Sequence, residues 1–288
     1  MDGVGPVIQF SPLVPGAQSL EERESGSLAG MAMLAPPGAA ERRYALAQAL
    51  RLLPPGAPLT VMAPKQKGGA RLRRELEALG CAVAETARRH HRICVCERPA
   101  AATGLDAALA EGGPRFVEEI GFWSQPGVFS WDRIDPGSAL LVEQLPVLAG
   151  RGADFGCGFG YLARALLVSP KVESLTLIDL DRRAIEAARR NLDDPRVRLR
   201  WADLREPDAE PRGLDFVVMN PPFHDGGAED RALGQGFIRR AADALRSGGT
   251  CWLTANRHLP YEGVMTPLFK RVTLKAEAAG YKVYEALR

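Results

Sequence analysis

Short apolar runs alternate with helical patterns along the second half of the chain. The runs centred on Phe155, Ile178, Leu199 and Val217 each have the length of a buried strand, and segments with helical periodicity separate them. Strands that alternate with helices assemble into largely parallel sheets covered by helices on both faces. We therefore predict an α/β fold for residues 115–288.

The first half of the chain shows its own succession of helices and strands. Leu46, Leu50 and Leu53 recur at helical spacing, and the prolines that follow stop that helix. The first 40 residues are rich in Gly and Pro, which predicts loops and short strands. Beyond them the pattern predicts helices over 39–53 and 68–79 and strands over 59–63, 81–84 and 92–96.

A similar succession returns near the C-terminus, with helices predicted over 238–245 and 261–269 and strands over 250–255, 272–275 and 282–286. Five elements match in order, which favours a degenerate internal duplication over chance likeness. The first copy has neither a glycine-rich turn nor an Asn-Pro-Pro-Phe loop, so we expect it to be catalytically empty. Residues 99–114 are small and turn-rich and predict a linker. The expected domains are therefore 1–114 and 115–288.

The second domain is expected to open with a strand over 115–120. A helix predicted over 136–145 follows, with Pro136 at its first position and Asp135 as its N-cap. These elements precede the part of the chain that carries the candidate chemistry.

Composition places the chain among globular proteins. Its 288 residues are 46% hydrophobic and 25% charged, and no apolar run approaches the ~20 residues that cross a bilayer. The five cysteines are scattered and odd in number, which is typical of reduced thiols in the cytosol. None of the four histidines has the spacing of a metal site. We expect a cytoplasmic protein that binds neither a membrane nor a metal.

A glycine-rich turn follows the run that ends at Phe155. Gly156, Gly158 and Gly160 allow positive φ and a close approach of the backbone to a ligand. In the dinucleotide motif G-x-G-x-x-G the third glycine comes one residue later. Asp154, two residues before the first glycine, would repel a pyrophosphate and attract an ammonium or sulfonium group. The pattern favours S-adenosylmethionine; the alternative is a turn that only packs a strand against a helix.

Two further acids end the next predicted strands. Asp179, followed by Leu180, stands where a carboxylate can accept both hydroxyls of a ribose. Asp203 is expected to accept from the exocyclic amine of adenine, with Leu204 beside the ring. The alternative for Asp203 is a solvated loop residue, and the preferred interpretation of Asp181 is a helix N-cap.

The strand predicted over 214–219 delivers the loop Asn220-Pro221-Pro222-Phe223. Two prolines fix φ at about −65° and remove two backbone donors, so the loop is stiff and lined with carbonyl acceptors. The side-chain oxygen of Asn220 and the carbonyl of Pro221 can receive both hydrogens of a planar amino group. Phe223 offers a face on which a heterocycle can stack. All these features lie at the carboxyl ends of strands, where open α/β sheets bind ligands.

Several motifs together resemble a known family. They are Gly127-Val128-Phe129-Ser130, Asp135-x-Gly137-Ser138, Asp154-Phe155-Gly156-Cys157-Gly158, Asn220-Pro221-Pro222-Phe223-His224-Asp225-Gly226, Ala255-Asn256-x-x-Leu259-Pro260-Tyr261 and Lys282-Val283-Tyr284. Over residues 115–288 the chain resembles the bacterial ribosomal RNA small-subunit guanine-N2 methyltransferases. The resemblance implies a class I methyltransferase fold, S-adenosylmethionine as methyl donor, and N2-methylguanine in 16S rRNA of the 30S subunit as product.

The resemblance also implies an N-terminal domain that looks like a duplicated methyltransferase without a cofactor site. This chain departs from the family there, because its first domain is short and its first 40 residues match no family motif. A sister family that modifies a guanine of 23S rRNA has a similar loop. A ribosome-assembly factor that binds cofactor and RNA without turnover is the alternative from a different class. The glycine spacing disfavours a nicotinamide oxidoreductase.

Clusters of cations mark candidate RNA contacts. Lys65, Lys67 and Arg71 follow a predicted strand with glycines interleaved, a suitable geometry for phosphates. His224, directly after the Asn-Pro-Pro-Phe loop, is expected to orient that loop or to contact RNA. Solvated helix faces are the alternative for most of the arginine pairs. The expected partner is ribosomal RNA in the 30S subunit, bound by a monomer.

Overall fold

The structure is a computed structural model that describes residues 7–206, 211–222, 224–225, 228–229 and 231–288. For residues 224, 225, 228, 229 and 231 only the backbone is described. The chain divides into two compact units. Unit 1 takes in described residues 7–11, 16–114 and 125–127, and unit 2 takes in residues 12–15, 115–124 and the described residues from 128 onwards.

Unit 1 consists of a mixed sheet and the helices packed on it. Its elements are β1 (Met31–Leu34), α1 (Ala39–Leu52), β2 (Pro58–Pro64), α2 (Ala70–Ala78), β3 (Ala84–Arg88), β4 (His91–Glu97) and α3 (Leu105–Gly112). The strand order is β1-β2-β4-β3, with β1 parallel to β2 and the other neighbours antiparallel. Buried Leu, Val, Ala and Cys side chains of α1, α2 and the sheet form one core.

Unit 2 is built on a seven-stranded sheet. Its elements are β5 (Arg115–Val117), β6 (Phe122–Ser124), α4 (Pro136–Gln144), β7 (Gly150–Phe155), α5 (Tyr161–Leu166), β8 (Val172–Asp179), α6 (Arg182–Asn191), β9 (Val197–Trp201), β10 (Leu214–Met219), β11 (His224–Asp225), β12 (Ala228–Glu229), α7 (Arg231–Ala244), β13 (Leu245–Asn256), α8 (Glu262–Met265), β14 (Arg271–Ala278) and β15 (Tyr281–Leu287). The strand order is β14-β15-β13-β10-β7-β8-β9, and only the pairs that involve β15 are antiparallel.

The alternation of side chains along β10 explains why this strand is a continuous apolar run. Val217 and Met219 belong to a core shared with α7, whereas Phe216 and Val218 belong to a second core shared with α4, α5 and α6. Helices therefore cover both faces of the sheet, as the alternating pattern predicts. The candidate site lies where the sheet is not covered by these helices, at the carboxyl ends of its strands.

The sheet of unit 1 repeats part of the sheet of unit 2. In unit 2 the strands β10-β13-β15-β14 are neighbours in that order, with β10 parallel to β13 and the other pairs antiparallel. The strands β1-β2-β4-β3 have the same order and directions, and α1 follows β1 as α7 follows β10 in the chain. The described residues of unit 1 hold no counterpart of β7, β8 and β9.

The loop after the first strand of each set keeps two prolines. Ala35-Pro36-Pro37 follows β1, and Asn220-Pro221-Pro222 follows β10. Alanine thus stands where the second loop has asparagine. The carbonyls of Pro36 and Pro37 accept from Nη1 of Arg42 at 3.2 and 2.8 Å. Within unit 1 the carbonyl acceptors of this loop are therefore already occupied by a side chain.

Four predicted segments differ in the structure. Residues 81–83 form a loop, so the strand predicted over 81–84 is wrong, and β3 starts only at Ala84. The strand predicted over 115–120 ends at Val117, and the helix predicted over 261–269 shrinks to α8. The predicted linker contains α3, whose Gly112 lies so close to Tyr44 of α1 that a Cβ there would be 2.3 Å from the tyrosine Cβ. Such tertiary contacts override local composition.

Arg42 is the largest fully buried side chain of the described residues. Its Nε and Nη2 donate to the two carboxylate oxygens of Glu75 in α2 at 2.6 and 2.7 Å. Together, the Glu75 carboxylate and the two proline carbonyls thus supply an acceptor to each of the three guanidinium nitrogens. A buried ion pair is tolerated only when its remaining donors are satisfied in this way. The pair ties α1 to α2 and fixes the Ala35-Pro36-Pro37 loop.

Removing one partner of this pair should strongly destabilise the protein. We expect Arg42→Met to lower the free energy of unfolding by about 3–5 kcal/mol, because the Glu75 carboxylate would remain buried without its cation. The neighbouring Arg43 pairs with Glu111 at the surface, so Arg43→Met should cost less than about 1 kcal/mol. Urea unfolding followed by circular dichroism compares the two variants, and equal losses would contradict the role given to Arg42.

Candidate active site

A pocket opens in unit 2 at the carboxyl ends of β7 and β10. It takes in roughly 410 Å³ of empty space, part of which is open solvent. The lining residues are Phe129, Ser130, Asp135, Ser138, Gly156, Cys157, Gly158, Phe159, Tyr161, Leu162 and Asn220. The glycine-rich turn and the Asn-Pro-Pro loop, predicted separately, thus line the same cavity.

The glycine turn between β7 and α5 uses a backbone that other residues rarely adopt. Gly156, Gly158 and Gly160 have φ values of 74°, 53° and 93°. Gly156 and Cys157 donate their N–H groups to the carbonyl of Ile178, which holds the turn against the end of β8. A side chain at any of the three glycines would strain this left-handed backbone. The sequence therefore specifies a tight turn that leaves the space above it open.

Asp154 is completely buried at the end of β7. In register it lies between Leu177 of β8 and Val218 of β10, both of them core residues. Burial, and next the charge of Asp179, raise the pKa of Asp154 to about 8. The Ala163 N–H lowers this pKa slightly, but neither carboxylate oxygen makes a well-formed hydrogen bond within the described residues. An acid in such a position is held ready for a cation.

Asp179 ends β8 next to the same turn. One carboxylate oxygen accepts from the Gly158 N–H at 2.9 Å and the other from the Asp181 N–H at 2.8 Å. Burial raises the pKa of Asp179 to about 6, against the lowering effect of these hydrogen bonds. Each oxygen keeps a further lone pair, so the group can still accept from a ligand. The adjacent Leu180 uses its carbonyl to accept from the Trp201 indole.

Asp203 and Leu204 follow β9 and differ in what they contact. Both carboxylate oxygens of Asp203 accept from the Arg205 guanidinium, which lowers the pKa of this acid. The Asp203 carboxylate is thus bound to Arg205, a contact that was not predicted from the sequence. Leu204 is buried and belongs to the core that includes Phe155 and Met219.

Asn220 is held in one orientation by a hydrogen-bond network. Its Nδ2 donates to Oδ2 of Asp135 at 2.8 Å and to Oγ of Ser138 at 2.9 Å. The Asp135 carboxylate can only accept, so it determines which end of the amide faces it. The same carboxylate caps α4 by accepting from the Ser138 N–H, and its second oxygen accepts from the Tyr281 hydroxyl. Both amide hydrogens are therefore used, and Oδ1 of Asn220 remains as an acceptor.

The rest of the predicted loop is only partly described. Pro221 is buried and Pro222 is half-buried. Phe223 lies outside the described residues, and for His224 the structure describes the backbone in the two-residue strand β11 alone. The predicted contacts Lys65, Lys67 and Arg71 belong to unit 1, where the first two lie in the loop Lys65–Gly69 and Arg71 lies in α2.

Sequence reasoning missed three residues of this network as part of the site. Asp135 was predicted as a helix cap, which is confirmed, but not as a partner of Asn220. Ser138 and Tyr281 were not predicted to contact Asn220 or its partners. The signal was present, because Asp135 and Ser138 stand together in one of the motifs that resemble the family. The N-cap predicted at Asp181 is also confirmed, since it accepts from the Arg183 N–H.

In the parts of the chain that the structure describes, no helix is long and apolar enough to span a membrane. Within the same residues, no group of three or more His, Cys, Asp and Glu side chains is arranged to hold a metal ion.

Comparison with known proteins gives the pocket its context. The model of the family described as methyltransferase small domain matches residues 119–285. A ribosomal RNA small subunit methyltransferase C from Stutzerimonas stutzeri is 34% identical over 84% of this chain and 74% of its own length. The protein of the same name from Pseudomonas paraeruginosa is 32% identical over 99% of this chain and 87% of its own length. The chain belongs to the small-subunit ribosomal RNA methyltransferase family.

A solved structure agrees with this assignment. The 16S rRNA N2 methyltransferase (RsmC) of T. thermophilus, in complex with AdoMet and guanosine, matches with a TM-score of 0.77 at 26% identity. The match covers 94% of this chain and 76% of the T. thermophilus chain. The predicted class I methyltransferase fold is therefore confirmed, and the pocket lies within the residues that the family model matches.

The raised pKa of Asp154 should make stability depend on pH. Its pKa is 3.8 when unfolded and about 8 when folded, so between these values the folded state holds a proton that the unfolded state has lost. Stability contributed by the protonated form is thus lost as pH rises. We expect the Asp154→Asn variant to have a free energy of unfolding a few kcal/mol above that of the unsubstituted protein at pH 8. This difference between the two proteins should be smaller at pH 5.

Urea unfolding at intervals from pH 5 to pH 9 measures this gap. The difference in unfolding free energy between the two proteins should stop increasing above about pH 8. Asp215→Asn is a suitable control, because the Arg151 N–H lowers the pKa of Asp215 and the group is ionised in both states throughout that range. A gap for Asp154→Asn that stays constant with pH would refute the assignment.

Proposed function

We propose that this chain transfers a methyl group from S-adenosylmethionine to the exocyclic N2 amine of a guanine in 16S rRNA. The observation that carries the proposal is the fixed amide of Asn220, which lines the pocket beside the glycine turn and uses both Nδ2 hydrogens within the protein, leaving Oδ1 as an acceptor. The solved relative was crystallised with AdoMet and guanosine, and the curated relatives are named as small-subunit methyltransferases. This combination supports the substrate as well as the chemistry.

The acids at the carboxyl ends of β7 and β8, next to the glycine turn that lines the pocket, suit a ligand that carries an ammonium or sulfonium cation. Asp154 offers a buried carboxylate with no well-formed hydrogen bond in the described residues, and Asp179 keeps free lone pairs. These two acids, with the backbone of Gly156, Gly158 and Gly160, would hold S-adenosylmethionine. When bound, the cofactor supplies a methyl group made electrophilic by its sulfonium. Asp203 and Leu204 would contact the adenine, which requires Arg205 to release the Asp203 carboxylate.

Asn220 and Pro221 would hold the amine in a reactive geometry. The Asn220 Oδ1 and the Pro221 carbonyl accept the two amine hydrogens, which favours a pyramidal nitrogen and directs its lone pair out of the base plane. Since a neutral amide is a weak base, the contribution is positioning and charge stabilisation. The guanine must leave any stack to enter, at a cost of a few kcal/mol. Stacking on Phe223 would offset part of that cost.

We also infer that unit 1 is a degenerate copy of the methyltransferase domain that binds no cofactor and helps to recognise RNA. Its strands repeat the order and directions of β10, β13, β15 and β14. Ala35 stands where the catalytic loop has Asn220, so this loop offers no side-chain acceptor. The nearby proline carbonyls are occupied by Arg42.

The reaction is tested by labelling. Tritiated S-adenosylmethionine is incubated with the protein and with 16S rRNA, 23S rRNA, 30S subunits or 50S subunits, and labelled nucleosides are identified. We expect N2-methylguanine in 16S rRNA alone. Label in 23S rRNA would support the sister family instead, and cofactor binding without any labelling would support an assembly factor. Asn220→Ala should lose transfer and still bind S-adenosylhomocysteine.

The orientation of the Asn220 amide is tested at Asp135. Asp135→Asn retains a good helix cap but adds a donor, so the Asn220 amide can flip and present its NH₂ to the substrate. We expect kcat to fall roughly 10- to 100-fold, as for a misplaced reacting group, with unchanged affinity for S-adenosylhomocysteine. Asp132→Asn, an exposed change in the same loop, should leave kcat unaltered. A normal kcat for Asp135→Asn would exclude the proposed role.

A further inference from the structure

We propose that one edge of unit 1 is a preformed binding surface for the phosphate backbone of RNA. This basic edge consists of residues 64–71, which lead from β2 into α2, and residues 88–91, which form the turn between β3 and β4. The identity of the RNA rests on the proposed function, whereas the surface is inferred from the geometry and charge of unit 1. The contribution of the β3–β4 turn is additional to the three cations predicted from the sequence.

The fold brings the two segments of the basic edge together. Pro64 at the end of β2 pairs with His91 at the start of β4, and Arg88 at the end of β3 pairs with the same histidine. The Lys65 N–H donates to the carbonyl of His90 at 2.8 Å. Two segments separated by 16 residues in the chain, 64–71 and 88–91, therefore adjoin at this edge of the sheet.

The basic edge carries an unbalanced positive charge. Its twelve residues include the cations Lys65, Lys67, Arg71, Arg88 and Arg89 and contain no Asp or Glu. Among the described residues, the side chains of Lys65, Arg71, Arg88 and Arg89 form no ion pair, and all four residues are exposed. Several other arginines of unit 1 are ion-paired, among them Arg42 with Glu75, Arg73 with Glu77, and Arg92 with Glu85. Lys65, Arg71, Arg88 and Arg89 are therefore available to an anionic partner.

The turn at the tip of this edge has a backbone conformation that its residue types disfavour. Arg89 and His90 have φ values of 46° and 63°, so both central residues of the two-residue hairpin are left-handed. Such turns strongly favour Asn-Gly, because other side chains are disfavoured at positive φ. Two bulky cationic or polar side chains at these positions therefore suggest a role in binding. The strain fixes the direction in which Arg89 leaves the hairpin.

The loop beside the turn packs against the buried side chain of Arg42. Gly68 has a φ of 95°, and a Cβ at this position would lie 2.1 Å from Nη1 of Arg42. The buried Arg42–Glu75 pair thus supports the loop that carries Lys65 and Lys67. A rigid arrangement of cations loses little conformational entropy when it binds, which suits a partner held by several weak ionic contacts.

Phosphates fit this edge better than bases do. Residues 64–71 and 88–91 include no Phe, Tyr or Trp on which a base could stack. The carbonyls of Pro36 and Pro37, which could bind a base amine, are occupied by Arg42. Arginine and lysine side chains contact phosphate oxygens without reading sequence. The edge would therefore hold the RNA in place and leave the choice of base to other residues.

The surface is tested by the salt dependence of RNA binding. The affinity of the full chain for 16S rRNA is measured by filter binding between about 50 and 300 mM KCl. Arg88→Gln combined with Arg89→Gln should weaken binding about 10-fold at low salt. It should also reduce the slope of log affinity against log salt by about 1.4–1.8, the value for two lost phosphate contacts. Affinity for S-adenosylhomocysteine should not change.

The control is Arg43→Gln combined with Arg73→Gln, which removes the same charge from ion-paired positions of unit 1 outside the basic edge. This control should keep the original slope. Equal slopes for both double variants would overturn the proposal. Because binding is measured without methyl transfer, its result is separate from the labelling experiment: absent labelling refutes the proposed reaction, and an unaltered slope refutes the surface.

A second variant separates strain from binding. Arg89→Asn combined with His90→Gly places the favoured Asn-Gly pair in the turn and should raise the melting temperature of the protein. The same variant should bind 16S rRNA more weakly than the original chain. A more stable protein with undiminished RNA affinity would overturn the role given to the turn.

Discussion

A single carboxylate determines how the candidate site is oriented. The Asp135 carboxylate accepts hydrogen bonds from the Ser138 N–H, the Asn220 amide and the Tyr281 hydroxyl. These bonds connect the start of α4 to the loop after β10 and to β15. An amide has nearly the same shape in either orientation, and only its hydrogen-bond partners decide which end faces the pocket. A carboxylate, which can only accept, removes the ambiguity. The orientation that leaves Oδ1 of Asn220 as an acceptor is thus set by contacts within the protein.

The second feature of the site is Asp154, a carboxyl group held in surroundings that disfavour its charged form. Asp154 lies between core side chains, and its burial favours the neutral form. A protein selected for stability alone would place a hydrophobic residue there. The nearby glycine turn leaves room for a cation that would restore the ionised form. Stability and ligand binding therefore make opposite demands on this position, which is common at functional sites.

The sequence predicted those parts of the structure that depend on local pattern. The buried strands, the glycine turn, and the caps at Asp135 and Asp181 each follow from residues close together in the chain. The contact between Asp135 and Asn220 spans 85 residues and depends on how α4 packs, which no local pattern specifies. The helix α3 likewise depends on a distant contact. Its small residues are typical of a linker, and the helix forms because it packs against Tyr44 of α1. The Arg205 partner of Asp203 was missed because a loop arginine has many possible partners.

The two sheets that share a strand order differ in where its first strand lies. In unit 2, β10 lies at the centre of seven strands, is six residues long and is buried along most of its length. Its counterpart β1 has no neighbour beyond it in the described sheet, is four residues long, and has side chains that alternate between half-buried and exposed. An unpaired edge can recruit a strand from another molecule, and a short, alternating strand limits that risk. The same strand order therefore places β10 at the centre of its sheet and β1 at the edge of the other.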